Sequence, residues 1–273
     1  YSKRFPAKLL GPIKRYVGVD FTHDVKLRTM TLSQETYIVN MVPKFVKPET
    51  LAKKVELPAV ATHKGHERFD PYYELLAIHA TVEPDDLTTE PYLSALASTM
   101  YAVVFTQGHL AYHVSFLSRF SSKPTKKAWD ALVIVMTYMY QKRSHHKLKY
   151  VGGSVPLPSC PSCRPHLNYG LFQQLGGFIV FTDASWKNDC TYAGMIVMYR
   201  GSAVDWASVL MKVKCSSAEA EIGAGSLGAR RLVYCRNLIG EIFGLPEVPI
   251  AHVVDNSATP PLTENLGVVK KTE

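Results

Sequence analysis

Along this chain the spacing of apolar residues changes character twice. Near the start, "KRYVGVDF" (14–21) and "LRTMTLS" (27–33) are dense in β-branched and aromatic residues, which predicts two strands. The polar "THD" (22–24) between them predicts the turn of a hairpin. From 34 to 45, Tyr37, Ile38, Met41, Val42 and Phe45 recur at helical spacing, and Pro48 closes that element. Residues 47–90 are charged, punctuated by proline and weakly patterned; they read as a long excursion with a short helix near 72–80.

The next block has helical periodicity throughout. Pro91 suits a first helical position and opens "YLSALASTMYAVVF". A second helix follows Gly108, as "HLAYHVSFLSRF" (109–120), and a third follows Pro124, as "KKAWDALVIVMTYMY" (126–140). Within these helices Phe116, Phe120, Trp129, Tyr138 and Tyr140 fall at core spacing, so they predict packing and not a base-stacking platform. A stretch dense in Pro, Gly, Ser and Cys (151–176) then reads as a linker.

Beyond it the pattern becomes α/β. "GFIVFTDASW" (177–186) is an apolar strand ending in an acid, and "AGMIVMYRG" (193–201) and "SAVDWAS" (202–208) extend it into a meander. A long helix covers 216–244 despite its glycines, and "IAHVVDNSAT" (250–259) is another strand ending in an acid. The fold class is therefore α/β, a mixed sheet with helices, preceded by a mainly helical region.

Three acids occupy special places in the second half. Asp183 ends the first strand, Glu221 lies near the start of the long helix, and Asp255 ends the fourth strand. Strand ends converge on one edge of such a sheet, and a helix packed there can deliver a third acid. Carboxylates gathered this way suit Mg²⁺ or Mn²⁺. Two such ions, about 3.5–4 Å apart, activate water and stabilise a leaving oxygen in phosphodiester cleavage. Glu219 and Glu221 are two apart and point about 200° from each other on a helix, so only one can face the cluster. On spacing alone these acids are equally readable as helix caps and surface charges.

Composition adds a partner class. Lys and Arg number 31 against 23 Asp and Glu, a net charge of +8, and the pI is about 9.1. A basic chain favours a polyanionic partner. The basic runs "KPTKK" (123–127) and "QKRSHHKLK" (141–149) make Lys142, Arg143, Lys147 and Lys149 candidates for nucleic-acid contact, with Lys212 and Lys214 beside the long helix. Cys160, Cys163 and His166 in "SCPSCRPH" form half of a zinc pattern with no obvious fourth ligand. The apolar runs are too short for a membrane span. Five cysteines, three of them scattered, argue against a disulfide framework, so an intracellular, reducing compartment is expected. The opening at Tyr1, without a signal peptide, reads as an internal piece of a longer polypeptide.

The motifs in order resemble the Ty1/copia-type retrotransposon polyprotein, from the end of the reverse transcriptase palm through RNase H. "YVGVDFTHD" and "LSQETYI" resemble the palm exit and thumb entry; "PYLSALASTMYAVVFT" and "LAYHVSFLSRFSSKPTKKAWDA" resemble the helical block after it. "FTDASW", "DWAS", "KCSSAEAEIGA" and "VVDNSA" resemble the RNase H domain, in that order. The resemblance implies a thumb- and connection-like region over 1–150, a linker over 151–176 and an RNase H-like domain over 177–273 that is incomplete at its C-terminus. It implies Asp183, Glu221 and Asp255 as catalytic and metal-holding residues with two Mg²⁺ or Mn²⁺ ions. Asp183 would bridge both ions, Asp255 would hold the one that activates water, and Glu221 the other. Trp186 would pack beside them. The implied substrate is the RNA strand of an RNA–DNA hybrid, and the implied setting is the cytoplasm or a virus-like particle.

Three departures bear on this. The paired Asp motif of the polymerase is absent, so no polymerase site is expected here. "TQGHL" (106–110) stands where the family has Arg-Pro-Asp. The chain ends at "KKTE", leaving only Glu273 near the place of a fourth acid. The alternative expectation is a non-catalytic, retroelement-derived subunit that serves a larger assembly as a structural or RNA-binding component.

Overall fold

The computed structural model describes residues 11–58, 63–64, 67–68, 75, 83–152, 177–185, 191–211, 216–244 and 251–254. The predicted linker with Cys160, Cys163 and His166, and the residues Trp186, Lys212, Lys214, Asp255 and Glu273, lie outside these, as does most of 59–82 with its predicted short helix.

The first strand-like run contains a turn of its own. Val17 and Gly18 both have positive φ (47° and 73°), the backbone of a two-residue hairpin. They divide the run into β1 (Arg15–Tyr16) and β2 (Val19–Asp24). Gly18 takes that conformation at no steric cost. The predicted "THD" turn is in fact the end of β2; the chain reverses at residues 25–28 and returns as β3 (Thr29–Ser33). Helix α1 (Glu35–Met41) follows and buries Ile38 and Met41.

Three helices form the next unit: α2 (Tyr92–Phe105), α3 (Ala111–Leu117) and α4 (Lys126–Lys142). The predicted helix over 109–120 is α3 flanked by 3₁₀ turns at Gly108–Leu110 and Ser118–Phe120. The Thr125 hydroxyl caps α4 by accepting from the Ala128 N–H at 3.1 Å. Ile38, Leu96, Leu110, Phe116, Phe120, Leu132 and Met136 make a common core, with Trp129, Tyr138 and Tyr140 packed against it. These aromatics are core, as their spacing predicts. After α4, β4 (Leu148–Val151) pairs antiparallel with β3, giving a sheet ordered β1-β2-β3-β4.

The second sheet is mixed. Strands β5 (Phe178–Ser185), β6 (Thr191–Tyr199) and β7 (Ser202–Met211) form an antiparallel meander. Helix α5 (Ser217–Phe243) crosses it, and β8 (Ala251–Val254) returns parallel to β5, for an order β8-β5-β6-β7. Phe178, Val180, Met195, Val197, Leu232 and Cys235 pack between sheet and helix.

The helical unit and this sheet share a packed boundary. Tyr192 of β6 is buried in the helical core, edge-on to Tyr112 with ring centroids 5.2 Å apart. The Trp206 indole of β7 donates to the Val103 carbonyl at 2.9 Å and lies directly on Gly108, where a Cβ would come within 2.6 Å of the ring. Thr106 and Gln107 are buried beside it. The Thr106 hydroxyl donates to Gln34 Oε1, and the Gln107 amide donates to Thr106 and to the His146 carbonyl. "TQGHL" is therefore the joint between the two halves, and "DWAS" is its other face. A cleft of about 340 Å³ opens alongside, lined by Met100, Val104, Ser115, Trp206 and Arg231 among others. Among the described residues no helix is long and apolar enough to cross a membrane.

Candidate active site

Helix α5 settles which glutamate faces the sheet. Ser216 is its N-cap and accepts from the Glu219 N–H at 3.2 Å. "SSAE" (216–219) thus places Glu219 three residues after the capping serine, the position of the acid in a capping box. Glu219 is exposed, whereas Glu221 is buried to 7% exposure on the face that also carries Ala220, Ala224, Gly225 and Gly228.

Contacts along that face give the direction of the helix. A Cβ at Gly228 would meet Thr182 Cγ2 at 2.2 Å and Val180 Cγ2 at 3.2 Å; one at Gly223 would meet Met211 Sδ at 3.1 Å. Met211 pairs with Thr191, and Ser185 pairs with Tyr192, so Met211 and Ser185 mark the same end of the sheet. From Gly228 back to Gly223 the helix runs toward that end. Glu221, half a turn further, lies over it.

Asp183 is on β5, opposite Gly194 of β6 and two residues from this end. It is exposed, one residue beyond the buried Thr182. Because side chains alternate along a strand, Asp183 projects from the face opposite Thr182. Asp183 and Glu221 therefore lie toward the same end of the sheet, Glu221 on the face that α5 covers and Asp183 on the opposite face. Strand β8 ends at Val254, paired with Thr182; Asp255, next in sequence, is outside the described residues. Among the described residues no group of three or more His, Cys, Asp or Glu side chains stands together as a metal site.

Two features here are not apparent from the motifs. His252 Nε2 lies 2.8 Å from the Thr182 hydroxyl, under the glycines of α5. Burial lowers the pKa of this imidazole. On the other flank, Arg231 pairs with Asp205 through both carboxylate oxygens at 2.7 Å, joining α5 to β7. The glycines 225 and 228, at i and i+3, were the available signal for the first.

The basic candidates are partly engaged. Glu35 lies 3.4 Å from Lys147 and 4.0 Å from Arg143, and the Arg143 guanidinium stands 4.5 Å over the Tyr140 ring. Lys149 is exposed on β4, and Lys142 is half-buried at the end of α4.

The chain is 27% identical over 270 residues, 97% of its length, to a retrovirus-related Pol polyprotein from transposon TNT 1-94 of Nicotiana tabacum. It resembles a retrotransposon Pol polyprotein almost end to end. It spans only 18% of that polyprotein's length. The chain is also 29% identical over 152 residues to secreted RxLR effector protein 161 of Plasmopara viticola, covering 53% of this chain and 90% of the effector. No family model matches.

Proposed function

We propose that this chain is the C-terminal part of a copia-type reverse transcriptase, and that residues 177–273 form an RNase H-like nuclease acting on the RNA strand of RNA–DNA hybrids. The observation that carries this reading is that the buried Glu221 of α5 and Asp183 of β5 lie toward the same end of the mixed sheet, while Glu219 is exposed. An antiparallel meander with one parallel strand added and a helix across it is a mixed sheet of the kind the resemblance implies.

Asp183 and Glu221 offer only carboxylate oxygens, a donor chemistry that fits hard divalent cations such as Mg²⁺ or Mn²⁺. With Asp255 they are the residues that would hold two ions. Ions so held supply activation of a water and stabilisation of the leaving oxygen. The protein's own part is to fix the carboxylates: β5 through its ladder with β6 and β8, and Glu221 through the close seating of α5. Lys142, Arg143, Lys147 and Lys149, with Lys212 and Lys214, would track the phosphates of the hybrid.

The test is cleavage of an RNA–DNA hybrid in Mg²⁺ by the parent polypeptide, repeated with Asp183→Asn. Activity abolished by that change supports the nuclease. An inactive parent sinks it and leaves the second reading, a recruited subunit in a larger assembly. That reading is favoured by the similarity to a short effector covered over 90% of its length. The exposed apolar residues Leu93, Met100 and Val104 on α2 also favour it, as a face for the rest of an assembly.

A further inference from the structure

We propose that His252 is a positioning residue for the carboxylate centre, holding through Thr182 the strand end that bears Asp183 and the helix turn that bears Glu221. This rests on the nuclease reading of those acids.

Thr182 is 5% exposed and faces α5. A hydroxyl buried at an apolar helix–sheet seam needs a hydrogen-bond partner, and His252 Nε2 provides one at 2.8 Å. His252 reaches it from the neighbouring parallel strand, where its own register partner is Val180. The bond therefore ties β8 to β5 laterally, one residue from Asp183 and three from Asp255.

The same imidazole determines how α5 sits. A Cβ at Gly225 would lie 3.3 Å from His252 Cε1, and one at Gly228 would lie 3.7 Å from Nε2 as well as 2.2 Å from Thr182 Cγ2. Each helix-interior glycine costs roughly 0.5–1 kcal/mol relative to alanine. The sequence accepts that cost at the two positions where the helix rests on the Thr182–His252 pair. Glu221 is four and seven residues before these glycines, on the same helix face. The height of α5 over the pair thus determines where the Glu221 backbone lies. His252 acts through Thr182 and the seating of α5.

The experiment uses the full chain with His252→Leu, which keeps apolar bulk, and His252→Gln, which keeps a hydrogen-bonding group. Two readouts are taken: amide hydrogen exchange, and Mn²⁺ binding followed by electron paramagnetic resonance. Asp183→Asn serves as the control for the metal. Expected for His252→Leu are faster exchange at 180–185 and 217–225 with 92–142 unchanged, and Mn²⁺ binding weakened about tenfold, as for outer partners of metal ligands. His252→Gln should recover most of both. Unchanged exchange in His252→Leu overturns the positioning role, whatever the metal does. Exchange that quickens equally across 92–142 also overturns it, because His252 would then support only global stability. Mn²⁺ binding indifferent to Asp183→Asn overturns instead the metal reading of the acids, and with it the functional half of the proposal.

Discussion

Replacing Gly108 by alanine tests the joint between the helical unit and the mixed sheet. The added methyl would lie 2.6 Å from Trp206 Cε2 and 2.7 Å from Cδ2 and Nε1. To restore ordinary contact the indole must retreat by about 1 Å. That stretches its 2.9 Å hydrogen bond to the Val103 carbonyl beyond useful length. Overpacking of this kind costs about 1–3 kcal/mol, and the lost hydrogen bond about 0.5–1.5 kcal/mol. A destabilisation of about 2–4 kcal/mol is expected, read as a lower urea midpoint at unchanged slope. Because the cost arises at one contact, a double-mutant cycle isolates it. In a Trp206→Ala background the methyl enters vacated space, and Gly108→Ala should become nearly neutral. If the two changes add within about 0.5 kcal/mol, they are independent, and the placement of Trp206 on Gly108 is not what makes glycine necessary.

Two further predictions follow from charge. His109 stacks on His146 with ring centroids 3.8 Å apart, and burial, then the neighbouring imidazoles of His146 and His113, lower its pKa to about 4. The unfolded chain therefore binds the proton first: this contribution is complete above about pH 6.5 and is lost as pH falls toward 4. The drop in melting temperature from pH 7 to pH 5 should be smaller in His109→Gln, by a margin reduced by screening because His109 is itself exposed at the surface; an equal drop refutes the assignment. Binding to RNA or to an RNA–DNA hybrid should weaken steeply with salt, and Glu35→Gln, which releases Arg143 and Lys147, should strengthen it; salt-indifferent binding, or none, counts against a basic face.

Much of the second half was legible because its signals are local. The 100° turn per residue already says that only one of Glu219 and Glu221 can face the sheet; the Ser216 cap and the burial of Glu221 decide which. The apolar meander and the acid at residue 183 are equally local. What was not legible depends on partners far along the chain. β4 is four residues long, and its membership in a sheet is decided by β3 more than a hundred residues earlier, so "KLKYV" reads only as the tail of a basic run. The turn at Val17–Gly18 was hidden because a β-branched residue at positive φ is disfavoured, and the run looked like one strand. Gly225 and Gly228 were visible as a cost, but the side chains they accommodate come from two other strands. "TQGHL" was visible as a departure from the family; its meaning as a joint required Trp206.

The parallel strand has a kinetic consequence. Phe178 pairs with Tyr199 about 20 residues away, and the meander from β5 to β7 closes through short loops. Thr182 pairs with Val254 about 70 residues away, across the whole of α5. Loop closure of that span must precede any return from the pairing, and nonlocal parallel contacts form slowly for this reason. The meander and α5 can assemble first as a hydrophobic layer, and β8 then docks onto an edge already in place. The strand that carries His252 and precedes Asp255 is thus expected to arrive last in the sheet, and the carboxylate centre proposed above would be complete only once this half has folded.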